Sequence, residues 1–210
     1  MRSVTIVNYG LGNIQAFVNI YKRLNIDAGI ASKAGELLEA EKIILPGVGA
    51  FDWAMTRLNE SGMRDVLDEL VVDKKVPVLG ICVGMQMMAK RSDEGVLAGL
   101  GWIDAEVKKF RRLEGKKVSE EKLMLPHMGW NDVMPCNTDC LFKNLGADAR
   151  FYFLHSYYFH CNNQNDTIAT TDYGIKYTSA ANHKNIYGVQ FHPEKSHSWG
   201  IQLLKNFAEI

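Results

Sequence analysis

Strand and helix patterns alternate along the first 90 residues, and this alternation limits the fold more than any other feature. The apolar run SVTIVNY has the pattern of a strand. Five apolar residues then fall on one face at helical spacing: Ile14, Phe17, Val18, Tyr21 and Leu24. The alternation continues through DAGIAS, AGELLEAE, KIILPG, the helical stretch from Trp53 to Val72, and VPVLGIC. Because such alternation favours parallel strand pairing, we expect an α/β fold with a mainly parallel central sheet and helices on both faces.

The pattern changes after about Gly99. Short strand-like runs separated by turn residues follow, among them RFYFLHSYYFH, TIATTDY, YTSAAN and NIYGVQF. They predict antiparallel additions to the sheet in the C-terminal half. The charged segment from Arg111 to Lys122 is typical of a solvated hairpin, and WGIQLLKNFAEI is typical of a closing amphipathic helix. With 210 residues and no linker-like tract, we expect one domain, 1–210.

Charge and composition argue against several classes of function. Lys plus Arg, 24, equals Asp plus Glu, 24, so there is no broad basic field for nucleic acid or for an anionic membrane surface. No apolar stretch reaches the length of a membrane span, and the N-terminus lacks a secretory pattern. Four cysteines in such a chain predict reduced thiols and a cytoplasmic location. Cys136, Cys140 and Cys161 are loosely spaced, so we expect no metal site.

The stretch LGICVGMQ places Cys82 between two glycines where a strand ends and a helix begins. This is a strand-turn-helix elbow of the G-x-C-x-G type, which lifts its central side chain above the sheet. A helix N-terminus favours the thiolate, and the N–H of Val83 there points toward an oxyanion formed on a substrate carbonyl. A buried cysteine in a turn is the alternative, but the elbow favours Cys82 as a nucleophile.

A nucleophilic cysteine needs an imidazole to accept its proton and a third group to orient that imidazole. His192 follows a strand-like run, and Glu194 lies two residues on, where a continued strand would project both side chains to the same side. His127 and His155 are competitors for the base role, but each is flanked by aromatic residues, and such histidines are more often packed than catalytic. The predicted triad is therefore Cys82, His192 and Glu194.

At these residues the chain resembles the class I, triad-type glutamine amidotransferases. The hallmarks are a cysteine elbow followed by glycine and glutamine, here GICVGMQ, and a late His-Pro-Glu, here QFHPEKS. NYGLGN, LPGVGAF, PHMGWN and HSYY extend the resemblance, over essentially the full length, to the glutaminase subunits of imidazole glycerol phosphate synthase. The resemblance implies a flavodoxin-like three-layer sandwich, no cofactor, and hydrolysis of glutamine to glutamate and ammonia through a γ-glutamyl thioester.

The resemblance also implies a role for each site residue. Cys82 would attack the amide carbon, His192 would give a proton to the departing ammonia and later activate water, and Glu194 would orient His192. Backbone N–H groups of two turns would bind the oxyanion, at Val83, Val48 and Gly49. Five further residues would hold the glutamine: Gly47, Gln86, Glu94, Ser156 and Tyr157.

An ammonia source needs an acceptor, and the sequence has no phosphate-binding loop, no dinucleotide-binding motif and no second domain for one. In the family the partner is a (β/α)8-barrel cyclase, which uses the ammonia to make imidazole glycerol phosphate and an aminoimidazole carboxamide ribotide in histidine biosynthesis. The resemblance therefore implies a heterodimer. Its docking face would include Asn8, Asn13, His127, Met128, Trp130, Asn131 and Lys195.

Other functions stay open on the sequence alone. Relatives of these subunits also supply ammonia for amidino-bearing sugars of bacterial surface polysaccharides. A stand-alone γ-glutamyl peptidase could use the same elbow and His-Pro-Glu, but it would not need the PHMGWN surface. A thiol-dependent stress protein would have the elbow without the late His-Pro-Glu. A non-catalytic scaffold could keep the fold, although such proteins often lose the nucleophile.

Overall fold

The computed structural model describes residues 4–110, 124–136, 140–146 and 148–210, so the hairpin predicted from Arg111 to Lys122 lies outside the described residues. The strands are β1 (Val4–Val7), β2 (Ala28–Ala31), β3 (Ile43–Gly47), β4 (Val78–Cys82), β5 (Arg91–Ser92), β6 (Ala105–Lys109), β7 (His127–Asp132), β8 (Met134–Pro135), β9 (Arg150–His155), β10 (Tyr157–Cys161), β11 (Thr167–Asp172), β12 (Lys176–His183) and β13 (Ile186–Val189). The α-helices are α1 (Ile14–Arg23), α2 (Phe51–Glu60), α3 (Arg64–Asp68), α4 (Val83–Met87) and α5 (His197–Glu209).

The main sheet has a parallel half and an antiparallel half, as the sequence predicts. Strands β2, β1, β3, β4 and β13 lie side by side in that order and pair in parallel. From β13 the sheet continues through β12, β10 and β6 by antiparallel pairing and ends at β5, which pairs in parallel with β6. Strand β11 branches from this path by pairing with β12, and β8 pairs with β11. The parallel strands β1, β3, β4 and β13 are buried at every residue, which is expected when helices cover both faces of a sheet.

The direction of the crossovers places the helices on both faces. The connection through α1 leads from β1 outward to β2, whereas the connection through α2 leads from β3 the other way, to β4. Because crossovers between parallel strands are right-handed, opposite directions put α1 and α2 on opposite faces. Helix α5 packs beside α1, and α4 packs beside α2. The three-layer arrangement predicted from the sequence is therefore confirmed.

The run RFYFLHSYYFH does not form one addition to the main sheet. It divides at Ser156 into β9 and β10, and only β10 joins the main sheet. Strand β9 pairs instead with β7, which the sequence analysis did not identify as a strand, and the two form a separate antiparallel sheet. Similarly, AGELLEAE forms only a short 3-10 helix, Ala34–Leu37, because just one of its four residues, Leu37, is buried to hold it against the core.

In the part of the chain that the structure describes, no helix combines the length and the apolar character that a membrane crossing requires.

Candidate active site

The elbow at Cys82 forms as predicted. Strand β4 ends at Cys82 and α4 begins at the next residue. Cys82 has a φ of +56° and a ψ of −111°, a strained conformation for a residue with a side chain and one that is typical of functional sites. Close packing under the turn requires Gly84, since a Cβ there would collide with the carbonyl oxygen of Leu45. Strand β3 thus lies directly against the elbow, and only glycine permits that approach.

His192 and Glu194 lie together beside the elbow, as the sequence predicts. Nδ1 of His192 is 2.8 Å from Oε1 of Glu194, and both side chains are buried. Oε2 of Glu194 is buried without a hydrogen-bond partner among the described residues, so the imidazole is the group that this carboxylate binds. The imidazole also lies close enough to the Cys82 sulfur for the two groups to interact electrostatically. With Nδ1 occupied by Glu194, Nε2 is the nitrogen that faces the sulfur.

Negatively charged groups around His192 decide its protonation. Burial by itself lowers the pKa of this imidazole. The charge of Cys82, the hydrogen bond to Cys82 and the adjacent Glu194 outweigh burial and raise the pKa from 6.5 to about 10. His192 is therefore an imidazolium at neutral pH, held between an anionic carboxylate and the sulfur, and it has a proton to give to a leaving group.

The competing histidines have the opposite character. His127 stacks between Phe153 and Tyr173. Burial lowers the pKa of His127 to about 4. Burial, with a smaller contribution from the charges of His127 and His192, lowers the pKa of His155 to about 3 despite a hydrogen bond to the backbone at Tyr157. Both are neutral at pH 7, which supports the interpretation that they are packed residues and not the base.

The hydrogen bonds of this pair fix its tautomers. Nδ1 of His155 lies 2.8 Å from the carbonyl oxygen of Tyr157, so it carries the proton and donates it. Nε2 of His155 then accepts, 3.1 Å from the Tyr177 hydroxyl and 3.2 Å from Nδ1 of His127. Nε2 of His127 accepts from the Asn131 amide at 3.2 Å. Each nitrogen therefore has a partner while both rings are neutral, which agrees with their low pKa values.

A cavity of about 270 Å³ opens over the sulfur. Its wall brings together nine of the residues predicted for catalysis, oxyanion binding and glutamine binding: Cys82, His192, Val83, Val48, Gly49, Gln86, Glu94, Ser156 and Tyr157. They come from the loops after β3, β5 and β13, from the end of β4, from α4, and from Ser156 and the first residue of β10. Pockets at the carboxyl ends of parallel strands are the usual ligand sites of such sheets.

Gly47 lies apart from the other residues predicted to bind glutamine. It is buried at the end of β3, in register with Cys82, and it is not part of the cavity wall. A Cβ on Gly47 would collide with the backbone nitrogen of Gly84. The glycine is needed because two backbone segments touch there, and a contact between Gly47 and the substrate stays a prediction.

Gln86 is tied into the site by a residue that the sequence analysis missed. Its Nε2 donates to the carbonyl oxygen of Tyr157 at 3.1 Å and to Oε1 of Gln190 at 3.0 Å. Nε2 of Gln190 in turn lies 3.8 Å from the sulfur of Cys82. The strand-like pattern of GVQFHPE could have revealed Gln190, because it precedes His192 by two residues and so projects to the same side.

The predicted docking residues divide between the two sides of β7. Met128 is 63% exposed and Trp130 is 36% exposed, whereas His127 on the opposite side is only 2% exposed. Placing His127 on the docking face was therefore wrong, because alternation along the strand turns its ring into the aromatic cluster beneath. Asn131, on the His127 side of the strand, is half-buried.

The remaining predicted docking residues are accessible to different degrees. Asn13 is exposed at the start of α1, and Asn8 is half-buried and hydrogen bonds with Ser32. Lys195 is exposed at the rim of the catalytic cavity, with its ammonium group 5.7 Å from the ring centre of Tyr152. Tyr152 in turn lies opposite Trp130 across the small sheet. The exposed side of β7 and β9 thus adjoins the cavity.

The other cysteines lie away from the site. Cys161 is fully buried in β10, and burial raises the pKa of its thiol to about 11. Cys136 and Cys140 are exposed. Within the described ranges, His, Cys, Asp and Glu side chains form no group of three or more that could hold a metal ion.

Comparisons with known proteins agree with this geometry. The family model described as "Glutamine amidotransferase class-I" matches residues 7–210. The chain is 60% identical to "Imidazole glycerol phosphate synthase subunit HisH" of Bdellovibrio bacteriovorus, with 99% of this chain and 100% of that protein covered. It is 50% identical to the protein of the same name from Leptospira borgpetersenii, again with 99% and 100% covered.

A solved structure titled as that of a glutamine amidotransferase shares the fold with a TM-score of 0.72, at 18% identity and with 99% of this chain and 100% of that one covered. The chain belongs to the class-I glutamine amidotransferase family and, within it, to the HisH subunits of imidazole glycerol phosphate synthase.

Proposed function

We propose that the chain hydrolyses glutamine and delivers the ammonia to a cyclase subunit that forms imidazole glycerol phosphate and an aminoimidazole carboxamide ribotide in histidine biosynthesis. One observation carries the catalytic part of this proposal. His192 is buried between Cys82 and Glu194, with a pKa raised to about 10, at the wall of a cavity. A thiol beside an imidazolium that a carboxylate orients is the arrangement of a cysteine nucleophile.

The chemistry follows from the protonation of His192. The sulfur of Cys82, as the thiolate whose proton His192 holds, attacks the amide carbon of glutamine, and a C–S bond forms while the carbonyl oxygen becomes an oxyanion. The C–N bond then breaks, and His192 gives its proton to the departing nitrogen, so that ammonia leaves and a γ-glutamyl thioester remains. Neutral His192 next takes a proton from water, the hydroxide attacks the thioester, and glutamate leaves as the C–S bond breaks and the sulfur departs as a thiolate beside the imidazolium, which restores the starting pair.

The oxyanion would be met by the backbone N–H of Val83 and by an N–H from the turn at Val48 and Gly49. Both turns line the cavity beside the sulfur. Backbone donors of this kind lower the barrier because they point at the charge that develops in the transition state. Gly49 has a φ of +88°, which its lack of a side chain permits.

The amino-acid end of glutamine would be held at the other end of the cavity. Gln86 offers a side-chain amide, and Ser156 and Tyr157 offer backbone groups. Glu94, one of the predicted glutamine-binding residues, places a carboxylate in the cavity wall, and it would bind the α-ammonium group. Its hydrogen bond from the backbone N–H of Phe51 in α2 limits where it can lie.

The cyclase would dock on the exposed side of the small sheet, next to the cavity. Met128 and Trp130 of β7 are exposed there, together with Leu154 of β9, which is 38% exposed. Large exposed apolar side chains grouped in this way are typical of protein interfaces. His192 donates its backbone N–H to Tyr152 of the same strand β9 at 2.8 Å, so the docking face and the triad share a backbone contact.

Delivery to a partner also has a consequence for regulation. Ammonia released into solution would waste glutamine, so we expect slow hydrolysis by the isolated chain and faster hydrolysis once a cyclase with bound ligand docks. The proposal includes a cytoplasmic location, where thiols stay reduced. Among the alternatives, the polysaccharide pathway has no observation in its favour, and the complete triad argues against a non-catalytic scaffold.

The test compares two nitrogen sources in a complex of the chain with the cyclase from the same genome. Cys82→Ala should lower the glutamine-dependent reaction at least about a thousandfold, because no thioester can form. The reaction supplied with an ammonium salt should remain. Cys136→Ala, at an exposed thiol far from the triad in sequence, serves as the control and should change neither rate. Loss of both reactions in Cys82→Ala would mean a structural role for the thiol.

A further inference from the structure

Two acidic side chains join the first turn of α2 to the loop that follows β5. Glu94 accepts a hydrogen bond from the N–H of Phe51 at 2.9 Å. In return, the carboxylate of Asp52 accepts the N–H of Val96 at 2.9 Å and the N–H of Leu97 at 3.1 Å. Each side of this contact supplies a carboxylate to the backbone of the other, and charged acceptors of this kind make the stronger hydrogen bonds.

The loop depends on this contact more than the helix does. Helix α2 is held by its buried face, where Phe51, Ala54 and Met55 are completely buried. In contrast, Val96 is 93% exposed and has no apolar packing to hold it. The loop approaches Asp52 so closely that a Cβ on Gly95 would collide with the carboxylate. If the contact were lost, the loop would move while the helix stayed in place.

The contact lies where it can set the size of the substrate site. Glu94 and Gly49 of the oxyanion turn both line the cavity, together with Cys82. Phe51, the donor to Glu94, follows Gly49 by only two residues. The hydrogen bond between Phe51 and Glu94 therefore fixes the distance between Glu94 and the oxyanion turn. Asp52 itself is not part of the cavity wall, so it can affect a ligand only through the loop.

We propose that Asp52 is a positioning residue that holds Glu94 at the distance from the oxyanion turn that fits glutamine, and so sets the selectivity for a substrate with an α-ammonium group. This inference rests on the proposed function, in which Glu94 binds that group. The inference distinguishes binding of the α-ammonium group from catalysis at the amide end of the substrate. Loss of Asp52 frees the carboxylate that binds the ammonium, whereas the sulfur, the imidazole and the oxyanion turn at the amide end stay in place.

The experiment measures glutaminase kinetics of the full chain with the cyclase subunit on two substrates. One is glutamine, and the other is glutaramate, which has the same amide and carboxylate but lacks the α-amino group. Asp52→Ala should raise the KM for glutamine about tenfold, the usual effect of losing a charged hydrogen-bond acceptor, and should change kcat less than about twofold. On glutaramate, kcat/KM should change less than about twofold, because Glu94 has no ammonium to bind there.

Three further variants sharpen this test. Asp52→Asn keeps the shape and one acceptor oxygen, so it should raise the KM for glutamine by an intermediate factor of about three. Gly95→Ala forces the loop away from Asp52 and should reproduce the substrate dependence of Asp52→Ala. Asp65→Ala removes an exposed aspartate from the first turn of another helix, α3, and should leave kcat and KM unchanged for both substrates.

Two results would overturn the inference. An unchanged KM for glutamine in both Asp52 variants would mean that the loop holds Glu94 without Asp52. Equal losses on glutamine and glutaramate, with a lower thermal midpoint, would mean that Asp52 only stabilises the fold. Failure of the wild-type complex to hydrolyse glutamine is a different result, because it would overturn the proposed function and this inference with it.

Discussion

Two kinds of buried histidine lie at or next to the catalytic cavity. One kind is protonated at neutral pH and the other is neutral. His192 is 3% exposed, and His127 and His155 are 2% and 6% exposed, so burial is nearly equal in all three. Yet the pKa is raised to about 10 in His192 and lowered to about 4 and 3 in the other two. The difference lies in the partners. His192 interacts with Glu194 and with Cys82, two groups that can carry negative charge, whereas the pair is surrounded by aromatic rings, a hydroxyl, an amide and a carbonyl.

This comparison shows that charge state follows partner chemistry when burial is constant. A neutral pair with every nitrogen satisfied holds its position and has no proton to give. An imidazolium between a thiol and a carboxylate is poised to transfer one. The first arrangement suits the packing beneath the docking strand β7, and the second suits catalysis.

The largest difference should appear when one histidine of each kind is replaced. His192→Ala should lower kcat for glutamine hydrolysis by about 10⁴-fold, because it removes the general acid and base. His127→Phe keeps a ring of similar shape between Phe153 and Tyr173 and should lower kcat less than about tenfold. Steady-state kinetics of the complex measure both. If the two variants lost activity to the same degree, the two kinds of histidine would not differ in function.

Glu194→Gln should have the next largest effect. The amide keeps the shape of the side chain but removes the charge that holds His192 protonated and oriented, so kcat should fall about 10²- to 10⁴-fold. Glutamine titrations with the complex give kcat and KM separately, and KM should stay within about threefold because Glu194 does not line the cavity. A change in KM alone would contradict an orienting role.

The neutral pair predicts a pH dependence of stability. The folded chain holds His127 and His155 neutral, while the unfolded chain protonates them near pH 6.5. The stability they provide is complete above pH 6.5 and is lost as the pH falls toward 4 and 3, on the order of a few kcal/mol in total. Denaturant unfolding at pH 7, 6 and 5 measures the free energy of unfolding. The slope below pH 6.5 should be smaller in His127→Phe, and an equal slope would contradict the assignment.

Much of the fold follows from local sequence patterns. Alternating apolar strands and amphipathic helices are set by residues close together in the chain, so the parallel half and its helices could be predicted. Ser156 is the counterexample. The run around it is uniformly strand-like, and the division into β9 and β10 depends on pairing with β7, about 25 residues earlier, through contacts that only the folded chain makes.

The site shows the same limit. Cys82, His192 and Glu194 carry local signals, namely an elbow and a spacing of two. Asp52 binds the backbone of Leu97, 45 positions away, so spacing could not reveal its contact with the loop. Spacing could place Gln190 on the side of His192, but it could not reveal the contact of Gln190 with Cys82, 108 positions away. His127 was misplaced because β7 was not recognised as a strand. Had it been, alternation would have put its ring on the side opposite Met128 and Trp130.

The most direct test that His192 is protonated while His127 and His155 are neutral is a pH titration of the histidine ring nitrogens by ¹⁵N NMR, in the wild-type chain and in Cys82→Ala. In the wild type, the signal that disappears in His192→Ala should report a protonated ring through pH 8 and titrate near pH 10. In Cys82→Ala that pKa should fall well below 10, because the two largest favourable contributions come from Cys82. His127 and His155 should stay neutral down to about pH 5 in both proteins. A His192 ring that is neutral at pH 7 in the wild type, or unaffected by Cys82→Ala, would contradict this account.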